Sequence, residues 1–170
     1  MPGQPIVFDF AKVIPTELPA IILQPPFAIV QEGDSLTLRT YFHCGGTPFE
    51  RAGISAVLAG ASAEVVYFFE DLEVGGAPIK VAGGAISKLT AAQKTAAFAA
   101  GGDLEGSGLP QTDDYYLSAD TAPITTGAGN TLQIPVGNQT GTWRVLAYIN
   151  GGPGTFVSAF DDNLLIQVTV

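Results

Sequence analysis

The chain has 170 residues, the size of one domain that can bury a self-sufficient hydrophobic core. Its formal net charge of −9 includes only seven lysines and arginines, scattered along the sequence, which argues against nucleic acid or an anionic membrane surface as partner. Charged residues make up 14% of the chain, whereas a typical soluble domain has about 25%, so we expect the surface to be covered by small polar residues or by other subunits.

Residues 1–26 predict a proline-punctuated N-terminal arm ahead of a single β-sandwich domain at 27–170. Proline biases the preceding residue towards extended backbone. Ile6, Phe8 and Phe10 alternate in the way that places three apolar side chains on one face of a short strand. Two placements are open: the arm is an edge strand of its own domain, which is the more common arrangement, or it adds a strand to a neighbouring subunit.

No stretch of the sequence predicts a signal peptide or a membrane span. The first residues carry no basic cluster ahead of an apolar core. Prolines also interrupt the apolar runs before they approach the roughly 18 residues that a transmembrane helix needs. The low charge favours an extracellular or cell-surface location, where β-rich proteins and subunits of assemblies have this kind of composition.

Alternating apolar residues predict strands through most of the domain, since a period of two with one apolar face is typical of half-buried antiparallel strands. One of these strands, at 63–72, is apolar on both faces, with Val66 and Phe68 on the second face. Such a strand is central or contacts a partner, so Val66 and Phe68 are candidate interface residues. The predicted strands cover residues 27–31, 36–43, 54–58, 63–72, 78–82, 114–120, 132–136, 141–149, 156–160 and 164–170.

One segment departs from the β pattern. Thr90 and Gln93 match a capping box, in which the hydroxyl and the amide satisfy the first free backbone N–H groups of a helix. The alanine-rich residues that follow favour a helix, and Gly101-Gly102 is a stop signal. The sequence therefore predicts one short helix at about residues 91–100, inserted in a loop and anchored by Leu89 and Phe98.

The number and spacing of the strands predict an all-β fold, an antiparallel immunoglobulin-like or jelly-roll-type β-sandwich with that one inserted helix. The run Gly141-Thr142-Trp143-Arg144-Val145, followed by Leu164-Leu165-Ile166-Gln167-Val168-Thr169-Val170, resembles the last strands of bacterial immunoglobulin-like modules. The resemblance rests on these C-terminal strands and lacks the cysteine pair of antibody domains. It implies a surface, adhesion or filament component.

The sequence supplies few groups for catalysis. His43 is the only histidine and Cys44 the only cysteine, so neither a disulfide nor a cysteine-based zinc site is expected. Adjacent residues of a strand point to opposite faces, which separates the two side chains and predicts a buried structural thiol. With no nucleophile, base and orienter in any motif, we expect a protein that is not an enzyme and needs no cofactor.

Two ligand classes nevertheless have candidate residues. Asp161, Asp162 and Asn163 offer hard oxygen ligands for calcium, with Asp113 or Asp120 to complete the site, although solvated turn acids are commoner at such positions. A sugar ligand would need exposed aromatic rings, for which the candidates are Tyr115, Tyr116 and Tyr148; Trp143 falls on an apolar strand face and is predicted to be core.

These observations favour a non-enzymatic structural protein, a self-assembling β-sandwich subunit of an extracellular filament or surface assembly. Copies of the chain would be its partners, through strand exchange by the N-terminal arm. The candidate interface residues are Ile6, Phe8, Phe10, Val66 and Phe68. The alternatives are a carbohydrate- or protein-binding module that uses loops 102–112 and 121–130, or a phage or capsid decoration subunit.

Overall fold

The computed structural model describes residues 11–16, 22–23, 27–45, 47–59, 63–127, 131–149, 156–157 and 164–170. This part of the chain is predominantly β, as the sequence predicts. Its strands are β1 (Ala11–Thr16), β2 (Ile22–Leu23), β3 (Phe27–Gln31), β4 (Ser35–Cys44), β5 (Glu64–Asp71), β6 (Ile79–Lys88), β7 (Asp114–Ser118), β8 (Ile124–Thr125), β9 (Thr140–Ile149), β10 (Phe156–Val157) and β11 (Leu164–Thr169). Its helices are α1 (Pro48–Leu58) and α2 (Ala91–Phe98).

All of these strands belong to one curled sheet. Its main path runs β1-β4-β7-β6-β5-β9-β11-β3-β2, with β8 paired to β4 and β10 paired to β9. β3 and β4 lie second from opposite ends of this path, yet only residues 32–34 connect them along the chain. Thr126 Oγ1 fixes this connection, because it lies 3.0 Å and 2.8 Å from the carbonyl oxygens of Gln31 and Asp34. The two ends of the path are therefore brought together, and the sheet wraps around the main core.

The sheet has mixed orientation, so the expectation of a wholly antiparallel fold is wrong at one pairing. β11 runs antiparallel to β9 but parallel to β3, from Leu165 opposite Phe27 to Thr169 opposite Gln31. An alternating pattern cannot distinguish the two orientations, because side chains alternate between faces in the same way in parallel and antiparallel strands.

The predicted strand at 54–58 is also wrong, since these residues form the end of α1. The backbone N–H of Arg51 donates to the carbonyl of Thr47 at 2.9 Å, which begins the helical hydrogen bonds. Pro48 occupies the first helical position, where a missing N–H costs nothing. Leu58 is buried in the main core. The described residues thus contain two helices where the sequence predicted one.

Residues 132–136 do not form the predicted strand either. Leu132 makes only an isolated bridge with Thr126, and the side chain of Val136 is fully exposed. Pro135, which has no N–H to donate to a ladder, accepts a hydrogen bond from the N–H of Asn138 in a turn. A short strand, β8, lies instead within the predicted loop 121–130.

The main core is formed by the inward-facing residues of the curled sheet. Trp143 is 2% exposed, which confirms its predicted core position. Residues of β4, β5, β9 and β11 alternate into this core as the sequence predicts. The cluster contains Val30, Leu36, Leu38, Phe42, Cys44, Leu58, Val65, Tyr67, Phe69, Tyr116, Ile124, Leu132, Trp143, Val145, Ala147, Ile149, Ile166 and Val168.

A smaller cluster lies on the other face of β4 and β7, beneath α2. The predicted capping box is confirmed: Thr90 Oγ1 accepts from the N–H of Gln93, and Gln93 Oε1 accepts from the N–H of Thr90. Phe98, one of the two predicted anchors, packs edge to face on Tyr115 with 5.2 Å between ring centroids. The helix ends there, two residues earlier than expected. The cluster's buried members are Tyr41, Leu89, Ala97, Leu104 and Tyr115.

Tyr67 makes the main core sensitive to alkaline pH. Burial raises the pKa of its phenol from 10.0 to about 12, while its hydroxyl lies 2.8 Å from Thr40 Oγ1. The unfolded chain therefore loses this proton first as the pH rises, so the stability is complete below pH 10.0 and falls towards pH 12. We expect a loss of up to about 1.4 kcal/mol per pH unit from this tyrosine.

Urea unfolding across this range, with tyrosinate absorbance as a second measurement, checks the expectation. Tyr67→Phe is the control, because it removes the titrating group and should make the stability decline less steeply. Burial also raises the pKa of Tyr148 and, together with Asp103, that of Tyr41, so part of the decline should persist in this variant. An identical pH dependence in both proteins would contradict the assignment.

Candidate functional site

The first half of β6 forms an open edge of the sheet. Residues Ile79–Gly83, hereafter the open edge, lie beside β5, where Ile79 is opposite Phe69 and Ala82 is opposite Val66. Among the described residues, no strand pairs with this segment on its other side, because β7 pairs only with Ile86, Ser87 and Lys88 of β6. A row of backbone N–H and C=O groups with no strand beside it is a template for adding another strand.

The open edge ends before Gly84, where β6 comes close to Ala119, the residue that follows β7. Gly84 lies so close to Ala119 that a Cβ on Gly84 would be 2.5 Å from the Ala119 carbonyl oxygen. Ala119 also donates its N–H to the carbonyl of Ala85 at 2.9 Å. An added strand could therefore pair with five residues, from Ile79 to Gly83, before Ala119 blocks it.

The side chains of the open edge divide between two faces. Ile79 and Val81 are opposite Phe69 and Tyr67, on the face that continues the main core, whereas Lys80 and Ala82 lie on the outer face. Lys80 is the only charged residue in this segment, and the segment contains no proline. Natural edge strands commonly carry several charges or prolines that prevent strand addition, so this edge is weakly protected.

A small cavity adjoins the start of the open edge. Its volume is about 140 Å³, and its lining combines core aromatic residues with the β5–β6 turn and the segment after residue 130. Ile79 belongs to both the cavity wall and the open edge, so a side chain added beside Ile79 would lie at the cavity. The lining residues are Phe69, Asp71, Gly75, Ala77, Ile79, Thr131, Gln133 and Trp143.

Exposed apolar side chains surround this end of the sheet. Ile79 starts β6 here, Leu72 follows β5 and donates its N–H to Thr142 at the start of β9, and Val170 donates its N–H to Gln139. The exposed fractions are 50% for Leu72, 64% for Val74, 36% for Ile79, 105% for Val136 and 73% for Val170. Apolar surface gathered near an unprotected strand edge is typical of a protein contact.

Two of the residues that the sequence singled out for an interface, Val66 and Phe68, lie on β5 directly beside the open edge, opposite Ala82 and Lys80. Ile6, Phe8 and Phe10 are outside the described residues. Val66 is buried and Phe68 is half-buried on the outer face of β5, where the Phe68 ring meets Tyr148 edge to face at 5.5 Å. Contact of these two side chains with another copy stays a prediction.

The candidate calcium ligands Asp161, Asp162 and Asn163 also lie outside the described residues. Of the two acids expected to complete that site, Asp113 is hydrogen-bonded to His43, with 2.8 Å between Nε2 and Oδ2. In the part of the chain that the structure describes, no three His, Cys, Asp or Glu side chains are grouped so as to hold a metal ion.

His43 and Cys44 occupy different environments, as their adjacent strand positions predict. The His43 ring stacks on Tyr115 with 4.9 Å between centroids. The Cys44 thiol is buried in the main core and donates to the Arg51 carbonyl at 3.2 Å. A cavity of about 290 Å³ lies beside Cys44, Arg51 and Asp113, but the thiol and the imidazole point away from one another. The hydrogen bond from Cys44 to Arg51 holds α1 against β4. The contact of His43 with Asp113 holds the segment before β7 against the same strand.

The three tyrosines proposed as a sugar platform are buried, so that assignment is wrong. Tyr115, Tyr116 and Tyr148 are 1%, 3% and 7% exposed. Tyr115 donates its hydroxyl to the carbonyl of Pro110 at 2.6 Å, and the hydroxyl of Tyr116 lies 2.7 Å from Ser55 Oγ. The hydroxyls of Tyr115 and Tyr116 thus hold the segment before β7 and α1 against the sheet. Alternation in a strand shows which residues share a face but does not show that an inserted helix covers that face.

Neither a scan against protein-family models nor a search of curated proteins finds a match to this chain. Neither helix among the described residues is long and apolar enough to cross a lipid bilayer.

Proposed function

We propose that this protein is a non-enzymatic structural subunit that assembles with copies of itself in an extracellular filament or surface layer. The observation that carries the proposal is the open edge, Ile79–Gly83, with exposed apolar residues at the same end of the sheet. The low charge of the chain supports it, because surfaces buried between subunits are depleted in charged residues.

The proposal includes an immunoglobulin-like or jelly-roll-type sandwich as the architecture. Support comes from the order of the strands: β5, β9 and β11 are neighbours, as strands C, F and G are in immunoglobulin domains, and β4 lies beside β7, as B lies beside E. Trp143 on β9 packs in the main core, around which the curled sheet wraps. The resemblance to bacterial immunoglobulin-like modules implies a surface, adhesion or filament component, which suits a structural role.

Strand addition is the proposed mechanism of assembly. Each backbone hydrogen bond gained contributes about 0.5–1.5 kcal/mol net of its exchange with water. Apolar side chains such as Leu72 and Ile79 add about 25 cal/mol for each Å² that they bury. Five residues of edge give only a few such bonds, so assembly should depend strongly on protein concentration.

Sedimentation velocity over a concentration series tests this function. We expect the wild type to form species larger than the 17.5 kDa monomer as concentration rises. Ala82→Lys places a second cation on the open edge and should weaken association about tenfold, which corresponds to about 1.4 kcal/mol. Electron microscopy of the concentrated sample would then show whether the larger species are filaments or layers.

Ala92→Lys is the matched control, because Ala92 is an exposed alanine on α2, which follows the other end of β6 from the open edge, and the variant adds the same charge. It should associate as the wild type does. A wild type that stays monomeric at every concentration would overturn the proposed function. Equal weakening by both lysine variants would show that charge alone, rather than the edge, controls association.

A further inference from the structure

We infer that the open edge accepts residues 6–10 of another copy of the chain as an added antiparallel strand. This inference rests on the proposed function and names the segment that occupies the edge. The acceptor site lies on β6, which the sequence pattern did not single out. The inference follows from length, from side-chain alternation, from charge and from the position of Ala11 in the sheet.

The two segments match in length and alternation. Residues 6–10 alternate apolar Ile6, Phe8 and Phe10 with Val7 and Asp9. On the open edge Ile79 and Val81 lie on the core face and Lys80 and Ala82 on the outer face. A Cβ on Gly83 would meet the side chains of Val65 and Tyr67, which places this position on the core face as well. An antiparallel register that pairs all five positions places the three alternate apolar residues on the core face. These pairs are Ile6 with Gly83, Val7 with Ala82, Phe8 with Val81, Asp9 with Lys80 and Phe10 with Ile79.

This register also satisfies the charges. Asp9 is the only charged residue of the donor segment and Lys80 the only one of the open edge. In the register above they lie directly opposite one another on the outer face, where opposite charges on neighbouring strands stabilise the pairing. Phe10 falls beside Ile79, next to the cavity of about 140 Å³, which gives its ring an apolar neighbour.

At one end of the pairing, both the donor strand and the acceptor edge are limited by flanking residues. Pro5 precedes Ile6 in the chain and in this register would lie beside Gly84, where Ala119 already blocks the edge. Proline cannot donate a ladder hydrogen bond, so the donor strand and the acceptor edge stop at the same place.

The donor must come from a second molecule. Within one chain, Ala11 is opposite Phe42, Phe42 is opposite Tyr116, and Tyr116 is opposite Lys88. Ala11 is therefore level with Lys88, nine residues from Ile79 along β6, or about 30 Å at about 3.4 Å per residue. Phe10 is bonded to Ala11, with about 3.8 Å between their Cα atoms, and cannot lie beside its own Ile79.

A mixing experiment with full-length chains tests the inference. Phe8→Asp blocks the donor segment, with Val7→Asp as the matched control on its other face. The acceptor is blocked by proline, in two separate variants, Val81→Pro and Ala82→Pro. Successive N–H groups of a strand point to opposite sides, so one proline removes an N–H that faces the open side and the other removes one that pairs with β5. Only the first of these leaves the β5 pairing intact. Circular dichroism identifies the variant that folds.

Each blocked chain alone should be monomeric, and Val7→Asp, on the outer face, should still associate and do so more strongly than Phe8→Asp. An equimolar mixture of the two blocked chains should give a 1:1 dimer of twice 17.5 kDa and nothing larger, because one donor and one acceptor remain. If the wild type assembles but the mixture holds only monomers, the inference is overturned while the proposed function stands. A monomeric wild type overturns both.

Charge exchange tests the register. Lys80→Asp and Asp9→Lys should each weaken association by about two- to five-fold, and a chain with both substitutions should recover wild-type association. A double variant that associates more weakly than either single variant would overturn the pairing of Asp9 with Lys80.

Discussion

Replacing Trp143 with alanine is expected to reduce the free energy of unfolding by about 3–5 kcal/mol. The side chain is 2% exposed in the main core, between Asp71 of β5 and Ile166 of β11 in the sheet. Gly141 is close enough that a Cβ there would be 2.5 Å from the indole ring. Because the surrounding strands are fixed by pairing on both sides, the site cannot collapse to fill the space. Urea unfolding followed by circular dichroism measures the loss.

Two variants of the same strand serve as controls. Trp143→Phe keeps an aromatic ring and should lose less stability than the alanine variant. Thr142→Ala changes a half-buried residue of the opposite face, whose hydroxyl donates to Glu73 at 3.1 Å, and should cost no more than about 1 kcal/mol. A loss below about 1 kcal/mol for Trp143→Ala would contradict its place in the core.

A side chain at Gly84 is expected to destabilise the fold by about 1–3 kcal/mol or more. Even the Cβ of Gly84→Ala would lie 2.5 Å from both the Cβ and the carbonyl oxygen of Ala119, so the backbone of β6 or of the segment after β7 must move. Gly84→Val should cost more than Gly84→Ala. The midpoint of thermal unfolding should fall in the same order.

Ala82→Val is the matched control for these variants, because it adds bulk to an exposed residue of the same strand. We expect its thermal midpoint to stay close to that of the wild type. If Gly84→Val unfolds at the same temperature as Ala82→Val, the close approach of β6 and Ala119 is not a constraint on the fold.

Much of the sheet follows from the sequence because one apolar face identifies a strand regardless of its partner. The pattern of β5 and β9 predicts which residues face the core, and the structure agrees at Tyr67 and Trp143. Strand order is different, since it depends on contacts between distant residues. Nothing in the alternation of β11 shows that it pairs in parallel with β3.

The wrong elements come from short or interrupted patterns. Ile54, Ala56 and Leu58 satisfy a period of two, but Ile54 and Leu58 are also four residues apart, the spacing of one helical face. The helix signal was Thr47-Pro48, a residue able to cap followed by proline at the first helical position. Thr47 indeed accepts the first helical hydrogen bond.

The extent of β6 was missed for a different reason. Gly83-Gly84 in the sequence favours an end to the strand at residue 82, whereas β6 continues to Lys88. The glycines are required by close packing, because a Cβ on Gly83 would be 2.6 Å from the carbonyl of Val65. Glycine inside a strand can mark such an approach, but the neighbour that comes close is visible only in three dimensions. For that reason the open edge could not be located from the sequence.

The parallel pairing of β3 and β11 has a mechanical consequence. The strands run side by side from Phe27 and Leu165 to Gln31 and Thr169. Tension applied to the start of β3 and the end of β11 would pull the two strands along their axes in opposite directions. All the hydrogen bonds of the pair then carry the load together in shear instead of opening one after another. A subunit that is loaded through these two strands should therefore unfold slowly under force, and the rate of forced unfolding determines how long such a link survives.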